Sequence, residues 1–402
     1  MIFARLKALL GPGAVERDPD NVPRVTPDGT DALALVCRLA HDEGWKIRIE
    51  GRATWQPPDA PADLAVSTRA LDDVVSVSPA DLVATVQAGA PMDAVRRRLA
   101  EQGMWLALDP PGRVERSIGS VVATGTAGPL RHAFGPVRDH VLGCTAVTGD
   151  GRTVRAGGRV VKNVAGYDLT KLQVGGFGGF GIVTELHLRL RALPRADVTV
   201  LARGERDPLT AAARDLIEAR LAPVALELLS PALAGESRWV LAARFMGVEA
   251  AVRGELRRLA AESRIGWEEL APDRSAAFWA LVGRGALSGP VTLRLGVLPA
   301  GLDDVLDLLQ GELDLGLVSA GAGSGSLRWS GEAPVERLRA LRRLCAAREI
   351  PLTLERAPWG VRRALGHFGS YREGVAQLAG RLRTTFDPAQ CFQVALDGVE
   401  HD

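Results

Sequence analysis

GGRVVKNVAGYDLTKLQVGGFGGFGIVTELHLRL, residues 157–190, contains three kinds of segment in a fixed order. Residues 160–167 are apolar and rich in amide-bearing or small side chains, and Asp168 stands where the N-cap of a short helix would stand. Five glycines follow within 175–181. Strict alternation of apolar and polar residues then predicts a strand with one buried face. The buried face would carry Leu186, Leu188 and Leu190, and the other face His187, Arg189 and Arg191.

The glycine cluster also fits the spacing G-x-G-x-x-G at Gly176, Gly178 and Gly181. That spacing indicates a Rossmann nucleotide site when it follows a strand and opens a helix. Here a helical turn precedes the glycines and a strand follows them, so the context argues against a Rossmann fold. Glycines at this density permit positive φ and let the backbone lie against a flat ligand or another chain segment.

Composition restricts the class of protein. A chain of 402 residues suggests two or three domains. Lys and Arg number 49 and Asp and Glu 48, and this balance argues against nucleic acid or an anionic membrane surface as the main partner.

The cysteines and the chain start bear on the compartment. Cys37, Cys144, Cys345 and Cys391 are far apart in the sequence, so neither a zinc knuckle nor an iron–sulfur cluster is expected in this chain. Four reduced thiols suit a cytoplasmic protein. Arg5 and Lys7 interrupt the first apolar run, which argues against a signal peptide, and no run is long enough for a transmembrane segment. We expect a cytoplasmic protein, associated with the inner face of the membrane only through partners.

The six histidines offer no metal site, because none is paired at ligand spacing. His132 and His140 are more easily explained as structural than as catalytic residues. The sequence suggests neither a Ser-His-Asp arrangement nor a carboxylate pair, so the catalytic residues are unknown at this stage.

Two other segments are candidates for ligand contact. Residues 50–54, EGRAT, follow a predicted strand, and their N–H groups could form an anion-binding nest; an ordinary surface loop explains them equally well. Residues 117–129, SIGSVVATGTAGP, are nearly all small. They could lie against a planar ring and donate hydrogen bonds to its polar edge, or they could serve a tight contact between a helix and a sheet.

Turn and periodicity signals divide the chain into four parts. Residues 1–27 are rich in proline and charge and are expected to be an irregular lead. Residues 28–193 open with β-α-β and contain a hairpin at Gly149–Gly151. In 194–385 strands and helices alternate, which predicts an antiparallel sheet with helices on one face. Residues 386–402 are expected to be a C-terminal tail.

Four segments together carry a family resemblance: 158–172, GRVVKNVAGYDLTKL; 181–190, GIVTELHLRL; 117–128, SIGSVVATGTAG; and Arg138-Asp139 with VLG shortly after. They resemble the FAD-binding domain of the family that includes vanillyl-alcohol oxidase and the D-2-hydroxyacid dehydrogenases. KNVAGYDL and residues 67–91, STRALDDVVSVSPADLVATVQAGAP, resemble more narrowly the FAD-binding E-type subunits of bacterial glycolate oxidases. The resemblance implies an α+β fold: a PCMH-type FAD-binding domain of two subdomains, followed by a ferredoxin-like α+β cap domain.

The resemblance also implies a non-covalent FAD site between the two subdomains. On this chain the pyrophosphate would be held by Glu50, Gly51, Arg52, Ala53 and Thr54. The isoalloxazine or ribityl part would be lined by Pro110, Gly119, Ser120, Thr124 and Gly128. Backbone contacts would come from Gly181, Ile182 and Val183.

The function implied is oxidation of a small 2-hydroxy acid, glycolate or D-lactate, within a complex. Its partners would be a sister flavoprotein and an iron–sulfur subunit that carries the electrons onward. A substrate carboxylate would require an arginine fork, for which Arg294, Arg328 and Arg356 are candidates. Two alternatives remain open. The first is a scaffold subunit with weakened or lost flavin binding, which suits the glycine-poor loop 50–54 and the segment 392–395, both of which depart from the pattern of the family. The second is a self-sufficient flavin oxidoreductase that uses the same fold on another substrate.

Overall fold

A computed structural model describes residues 2–159, 168–369 and 374–397. In these ranges three large β-sheets of four, five and eight strands each organise one part of the chain. The amide-rich segment 160–167 that the sequence singles out lies outside the described residues.

The N-terminal subdomain is built on a four-stranded sheet in the order β1-β2-β4-β3, in which β2 and β3 both run parallel to β4. Helix α2 connects β2 to β3 and buries Leu33, Val36 and Ala40 against the sheet, as the 3.6-residue period predicts. Gly44 ends α2 with a left-handed φ of 68°. The elements are α1 Ile2–Leu10, β1 Val15–Arg17, β2 Pro23–Val25, α2 Thr30–Glu43, β3 Ile47–Glu50 and β4 Leu64–Ser67.

The expectation of an irregular lead over residues 1–27 is wrong. Helix α1 and strands β1 and β2 lie in this region, and Leu6 is fully buried in the subdomain's core. Phe3, Leu6 and Leu10 recur at helical spacing and supply an apolar face. The charged residues between them point outward, so the composition of this segment alone does not reveal its apolar face.

The prediction of a separate tail from residue 386 is also wrong. Cys391 and Phe392 are buried in the N-terminal core, and Ile47 N–H donates to the Cys391 carbonyl over 2.7 Å. The Asp387 carboxylate accepts hydrogen bonds from the N–H groups of Cys391 and Phe392, at 2.8 and 2.9 Å. The chain therefore returns after the cap to complete the subdomain in which it began.

The second subdomain contains a five-stranded antiparallel sheet in the order β5-β6-β10-β8-β9. The predicted alternation in β10 is confirmed, with Leu186 and Leu188 fully buried. Asp168 caps α6, as predicted, and accepts from the Lys171 N–H. The elements are β5 Val74–Ser78, β6 Val83–Gln87, α3 Met92–Ala100, β7 Met104–Trp105, α4 Ile118–Thr124, α5 Arg131–Phe134, β8 Val141–Val147, β9 Thr153–Gly157, α6 Leu169–Gln173, β10 Ile182–Arg189 and β11 Arg191–Ala192.

The cap is an eight-stranded antiparallel sheet made of two similar halves. Each half has the element order β-α-β-β-α-β and pairs its strands in the ferredoxin-like order: β15-β12-β14-β13 in the first half and β17-β18-β16-β19 in the second. Strands β13 and β17 join the halves. The elements are β12 Ala196–Gly204, α7 Arg206–Glu218, β13 Ala225–Leu229, α8 Pro231–Ala234, β14 Trp239–Gly247, α9 Glu249–Glu262, β15 Glu268–Glu269, α10 Pro272–Gly285, β16 Val291–Gly296, α11 Leu302–Glu312, β17 Leu317–Gly321, β18 Ser326–Gly331, α12 Val335–Ala347, β19 Leu352–Arg356, α13 Trp359–Leu365 and α14 Val375–Phe386.

Helices pack on both faces of the cap sheet, which corrects the expectation that they occupy one. The main core lies beneath α7, α9, α11 and α12. On the opposite face, Leu201, Val240 and Ala242 form a second cluster with residues of α8 and α10. Apolar side chains project from both faces of these strands, so each face must be buried by helices. Within the described ranges, no helix has the length and apolar character needed to cross a bilayer.

Candidate functional site

A crevice opens where the loop after β3, the start of α4 and the glycine segment before β10 meet. It encloses about 1030 Å³ of empty space, part of it open to solvent. All the predicted cofactor residues except Pro110 and Gly128 line this crevice. Those that do are Glu50, Gly51, Arg52, Ala53, Thr54, Gly119, Ser120, Thr124, Gly181, Ile182 and Val183.

The loop that follows β3 offers its backbone to the crevice. Ala53 has a left-handed φ of 52°, which turns successive N–H groups in a way that suits an anion. A Cβ on Gly51 would lie 2.5 Å from the Ser117 hydroxyl, so this glycine permits the close approach of α4. The Glu50 carboxylate accepts from Arg24 at 3.1 Å and from Arg48 at 2.8 Å, so these ion pairs already occupy its side chain.

The small-residue segment forms the short helix α4, which the sequence reading missed. Ser117 caps it by accepting from the Ser120 N–H at 3.3 Å, and Gly125 ends it with a left-handed φ. A Cβ on Gly119 would lie 2.6 Å from the Ala88 carbonyl oxygen. Gly119 therefore serves packing, as one interpretation of this segment expects, while Ser120 and Thr124 line the crevice and their contact with a ligand stays a prediction.

An aromatic stack forms part of the crevice wall and carries no signal in the sequence. Phe177, with a φ of 52°, stacks on His367 with ring centroids 3.7 Å apart. His367 is buried, and its Nδ1 lies 2.7 Å from the Leu354 carbonyl oxygen. Burial lowers the pKa of His367 to about 3, so the imidazole is neutral at physiological pH. Two residues far apart in the sequence thus stack face to face in one wall of the crevice.

Arg116 fills the inner side of the crevice wall and has no exposed surface. It donates to the Thr124 hydroxyl at 2.6 Å, to the Ser120 hydroxyl at 3.2 Å and to the Pro111 carbonyl at 2.8 Å. Its guanidinium carbon lies 4.0 Å from the centroid of the Trp55 ring. Burial lowers the pKa of Arg116 to about 9. Arg116 thus links the crevice-lining side chains of Ser120 and Thr124 to the Pro111 carbonyl. Pro110, which the sequence predicted at the cofactor, does not line the crevice.

Gly128 has a packing role in the described structure. A Cβ there would lie 1.9 Å from the Asp109 carbonyl oxygen. Leu130 N–H donates to both oxygens of the Asp109 carboxylate at 3.1 Å. Burial raises the pKa of Asp109 to about 6. Gly128 therefore allows the chain to turn tightly around a buried carboxyl group.

Three strands of the cap carry a charged cluster that contacts the backbone at Trp55 and Ala127. Glu355 is fully buried and accepts from Arg294 Nε at 2.9 Å and Arg328 Nε at 2.7 Å. Arg328 also donates to the Ala127 carbonyl at 3.0 Å, and Arg356 donates to the Trp55 carbonyl at 2.9 Å. The three arginines that the sequence suggested for a substrate carboxylate are therefore all engaged in contacts within the chain.

The crevice suits an elongated nucleotide cofactor. Its walls combine a turned backbone at 51–54, the hydroxyls of Ser120 and Thr124, and the flat Phe177 ring. The guanidinium of Arg52 at the rim supplies positive charge near the turned backbone, as a pyrophosphate requires. No three His, Cys, Asp or Glu side chains of the described ranges converge as metal ligands, and the absence of a bound metal stays a prediction.

Comparison with known proteins identifies the region that carries this crevice. Residues 23–157 match the family model described as FAD binding domain. This part of the chain is an FAD-binding domain. FAD is thus the cofactor of the chain, and the domain includes loop 50–54 and helix α4, two of the three segments that meet at the crevice.

Two of the relatives in sequence are subunits of glycolate oxidase. The chain is 35% identical over 213 residues to glycolate oxidase subunit GlcE of Escherichia coli (strain K12), covering 52% of this chain and 58% of that protein. It is 30% identical over 215 residues to glycolate oxidase subunit GlcD of Bacillus subtilis (strain 168), covering 52% of this chain and 45% of that protein. The match thus spans about half the length of these curated relatives.

The fold is shared over nearly the whole chain with a solved oxidase structure. The 4-ethylphenol oxidase from Gulosibacter chungangensis superposes with a TM-score of 0.76 at 13% identity, covering 99% of this chain and 96% of that one. At this identity the likeness concerns the fold alone. It shows that the chain shares its α+β fold with that enzyme over nearly its whole length.

Proposed function

We propose that this chain is the FAD-binding subunit of a glycolate oxidase-like complex that oxidises a small 2-hydroxy acid such as glycolate or D-lactate. The observation that carries the proposal is the crevice, which gathers nearly all the residues expected for FAD in a chain related to two glycolate oxidase subunits. A sister flavoprotein and an iron–sulfur subunit are the proposed partners. The iron–sulfur subunit would accept the electrons, because widely spaced cysteines give this chain no cluster of its own.

In this proposal each wall of the crevice has a separate task. The backbone N–H groups of residues 51–54 bind the pyrophosphate, and Arg52 adds positive charge at the rim. Ser120 and Thr124 offer hydroxyls to the ribityl and ring part, held in place by Arg116 from behind. Bound FAD supplies a hydride acceptor and passes the electrons onward. The chain's own part is to orient the cofactor and to exclude water from it.

A scaffold subunit with weakened flavin binding is the second candidate, and one observation favours it. Trp55 and Arg116 are bulky, stacked and almost fully buried at the residues that should surround the ring. A flavin that needs this space must displace them.

Purification of the full chain, alone and together with its partners, tests the proposal. We expect a yellow protein with the absorbance bands of bound flavin and about one FAD per chain. Ser120→Phe should fill the crevice and lose the flavin, whereas Ser237→Phe, at an exposed site in the cap, should retain it. Anaerobic addition of glycolate or D-lactate should bleach the flavin bands. A colourless chain that binds no added FAD but still assembles with partners would leave the scaffold function in its place.

A further inference from the structure

The cap domain has a surface groove whose lining contains three arginines, one of which, Arg348, is exposed on the loop after α12. Arg131, the first residue of α5, and Arg294 of β16 both line this groove. Ser324 and Gly325, from the turn between β17 and β18, line it as well. Arg131 lies four residues after Ala127, whose carbonyl accepts from Arg328, so the arginines and the small-residue segment are close to one another.

The cluster behind the groove holds fewer negative than positive charges. Glu355 is the carboxylate that accepts from both Arg294 and Arg328. Because one carboxylate balances one guanidinium, Glu355 leaves one positive charge of Arg294 and Arg328 unbalanced. Arg131 adds a further positive charge. Glu227 and Asp109 are the other acids near Arg328. Burial raises the pKa of Glu227 to about 8, so it contributes little negative charge at neutral pH. The pKa of Asp109 is raised by burial to about 6, and its charge is shared with Arg96 and Arg244.

Arg131 is the free member of this group. Within the described ranges its guanidinium has neither a hydrogen-bond acceptor nor an ion-pair partner. Its pKa is lowered first by burial and then by the neighbouring cations Arg294, Arg328 and Arg138. A half-buried guanidinium among like charges, with its donors unused, is a costly arrangement unless an anion completes it.

We infer that Arg131, with Arg294 beside it, binds the carboxylate of the small 2-hydroxy acid that enters through this groove. The inference rests on the proposed function for the substrate class, and on the geometry for the site. Guanidinium groups present paired donors that match the two oxygens of a carboxylate. The ligand would lie next to the 127–131 segment, at the end of the small-residue stretch that borders the cofactor crevice.

The rest of the groove limits the size and charge of the ligand. Asp304, Asp307 and Glu312 of α11 also line it, and these carboxylates repel a polyanion. Val297, Leu298 and Leu308 contribute apolar wall. A small monoanion is therefore favoured over a nucleotide or a nucleic acid.

Calorimetric titration of the purified full chain with sodium glycolate tests the site, with acetate and inorganic phosphate as further probes at matched ionic strength. We expect saturable binding of glycolate and of acetate, weakened at least tenfold by Arg131→Met. Arg138→Met is the matched control, because Arg138 is exposed, lies 3.7 Å from Asp139 and is absent from the groove; its affinity should stay within about twofold of the unmodified protein. Arg131→Lys should retain part of the affinity, since it keeps the charge without the fork.

Glu355→Gln gives a second, opposite test. Removing the one carboxylate frees Arg294 and Arg328, so glycolate and acetate should bind several-fold more tightly, and millimolar acetate should raise the melting temperature of this variant more than that of the unmodified protein. Equal affinity in the Arg131→Met variant, or tighter binding of phosphate than of either carboxylate, would overturn the inference. If glycolate bleached the flavin of the Arg131→Met variant as well as that of the unmodified protein, the inferred carboxylate site would be wrong and the proposed function would stand. If glycolate bound in an Arg131-dependent way but did not bleach the flavin, the carboxylate site would stand and the proposed function would be wrong.

Discussion

Glu227 of β13 is a buried carboxyl group whose hydrogen-bond partner is a neutral hydroxyl. Ser319 Oγ donates to it over 2.6 Å, and burial raises its pKa from 4.5 to about 8. The folded protein therefore keeps a proton that the unfolded chain loses above about pH 4.5. The sign follows directly: the contribution of this group to stability is fully present at low pH and is lost as the pH rises toward 8.

Glu227→Gln should remove this pH dependence. We expect the variant to gain stability relative to the unmodified protein as the pH rises from about 5 to about 8, on the order of a few kcal/mol at the upper end. Urea unfolding at several pH values measures the difference. Glu332→Gln, at an exposed carboxylate, should show no such trend, and a constant difference for Glu227→Gln across the range would contradict the assignment.

Gly128 allows a second test at the level of one residue. Gly128→Ala places a Cβ 1.9 Å from the Asp109 carbonyl oxygen, and the obstacle is backbone that cannot rotate away. We expect a loss of about 1–3 kcal/mol or more in unfolding free energy. Gly254→Ala is the control, since it lies inside α9 with no atom closer than 4.0 Å, and it should stabilise the protein by up to about 1 kcal/mol. Equal effects in chemical denaturation would show that the turn at Gly128 is not tight.

Local chemistry made several residues predictable. Asp168 was predicted as an N-cap, and Gly44 is of the residue type that ends helices, because each acts on backbone within a few positions. The role of Glu355 was not predictable, because its partners Arg294 and Arg328 belong to other strands and only the sheet order brings the three together. The same holds for Arg116, whose ring partner Trp55 is distant in the sequence.

At the scale of elements, the loop after β3 is joined to β19 and α13 by a series of hydrogen bonds. Trp55 Nε1 and Gln56 Nε2 both donate to the Glu355 carbonyl, at 3.0 and 2.7 Å. Arg356 donates in return to the Trp55 carbonyl. Further along, the Trp359 N–H donates to the Asp59 carboxylate at 2.7 Å. The loop expected to hold the pyrophosphate is thus fixed against the cap.

Two substitutions at Trp55 separate the parts of this contact. Trp55→Phe keeps a ring over Arg116 and loses one hydrogen bond, so we expect a loss of about 1 kcal/mol. Trp55→Ala removes the ring as well and should cost about 3–5 kcal/mol. Thermal and urea unfolding measure both. If the two variants were equally stable, the stack on Arg116 would contribute nothing and the contact would be the hydrogen bond alone.

Elements with strong periodicity were predictable, and those without it were not. Strand β10 occurs where its alternation predicted it, and helices α2, α7, α9 and α12 show the apolar spacing that makes a helix predictable. Helix α4 was missed because residues 118–124 are uniformly small and apolar, so no face stands out. Helix α10 was missed because its contact surface is narrow; within it Ser275, Val282 and Gly285 are buried.

At the scale of the whole molecule, the cap is inserted between two parts of one subdomain. The chain leaves the FAD-binding part at β12, builds both ferredoxin-like halves, and returns so that Phe392 packs with Leu6 and Ile47. The sequence predicted that the cap begins at residue 194. It could not show the return, because Phe392 and Cys391 form no periodic pattern and their partners lie at the opposite end of the chain.

Phe392→Ala tests whether the returning segment stabilises the FAD-binding part. Phe392 is 1% exposed and its N–H is held by Asp387, so truncation should leave a cavity and cost about 3–5 kcal/mol. We also expect weaker FAD retention, because the neighbouring Gln393 and Val394 line the crevice. Leu378→Ala, at a side chain that is 58% exposed on α14, should change stability by less than about 0.5 kcal/mol and leave FAD bound. Urea unfolding with flavin release as a second signal measures both effects; a Phe392→Ala protein with unchanged stability and unchanged flavin affinity would mean that the FAD-binding part is complete before the chain enters the cap.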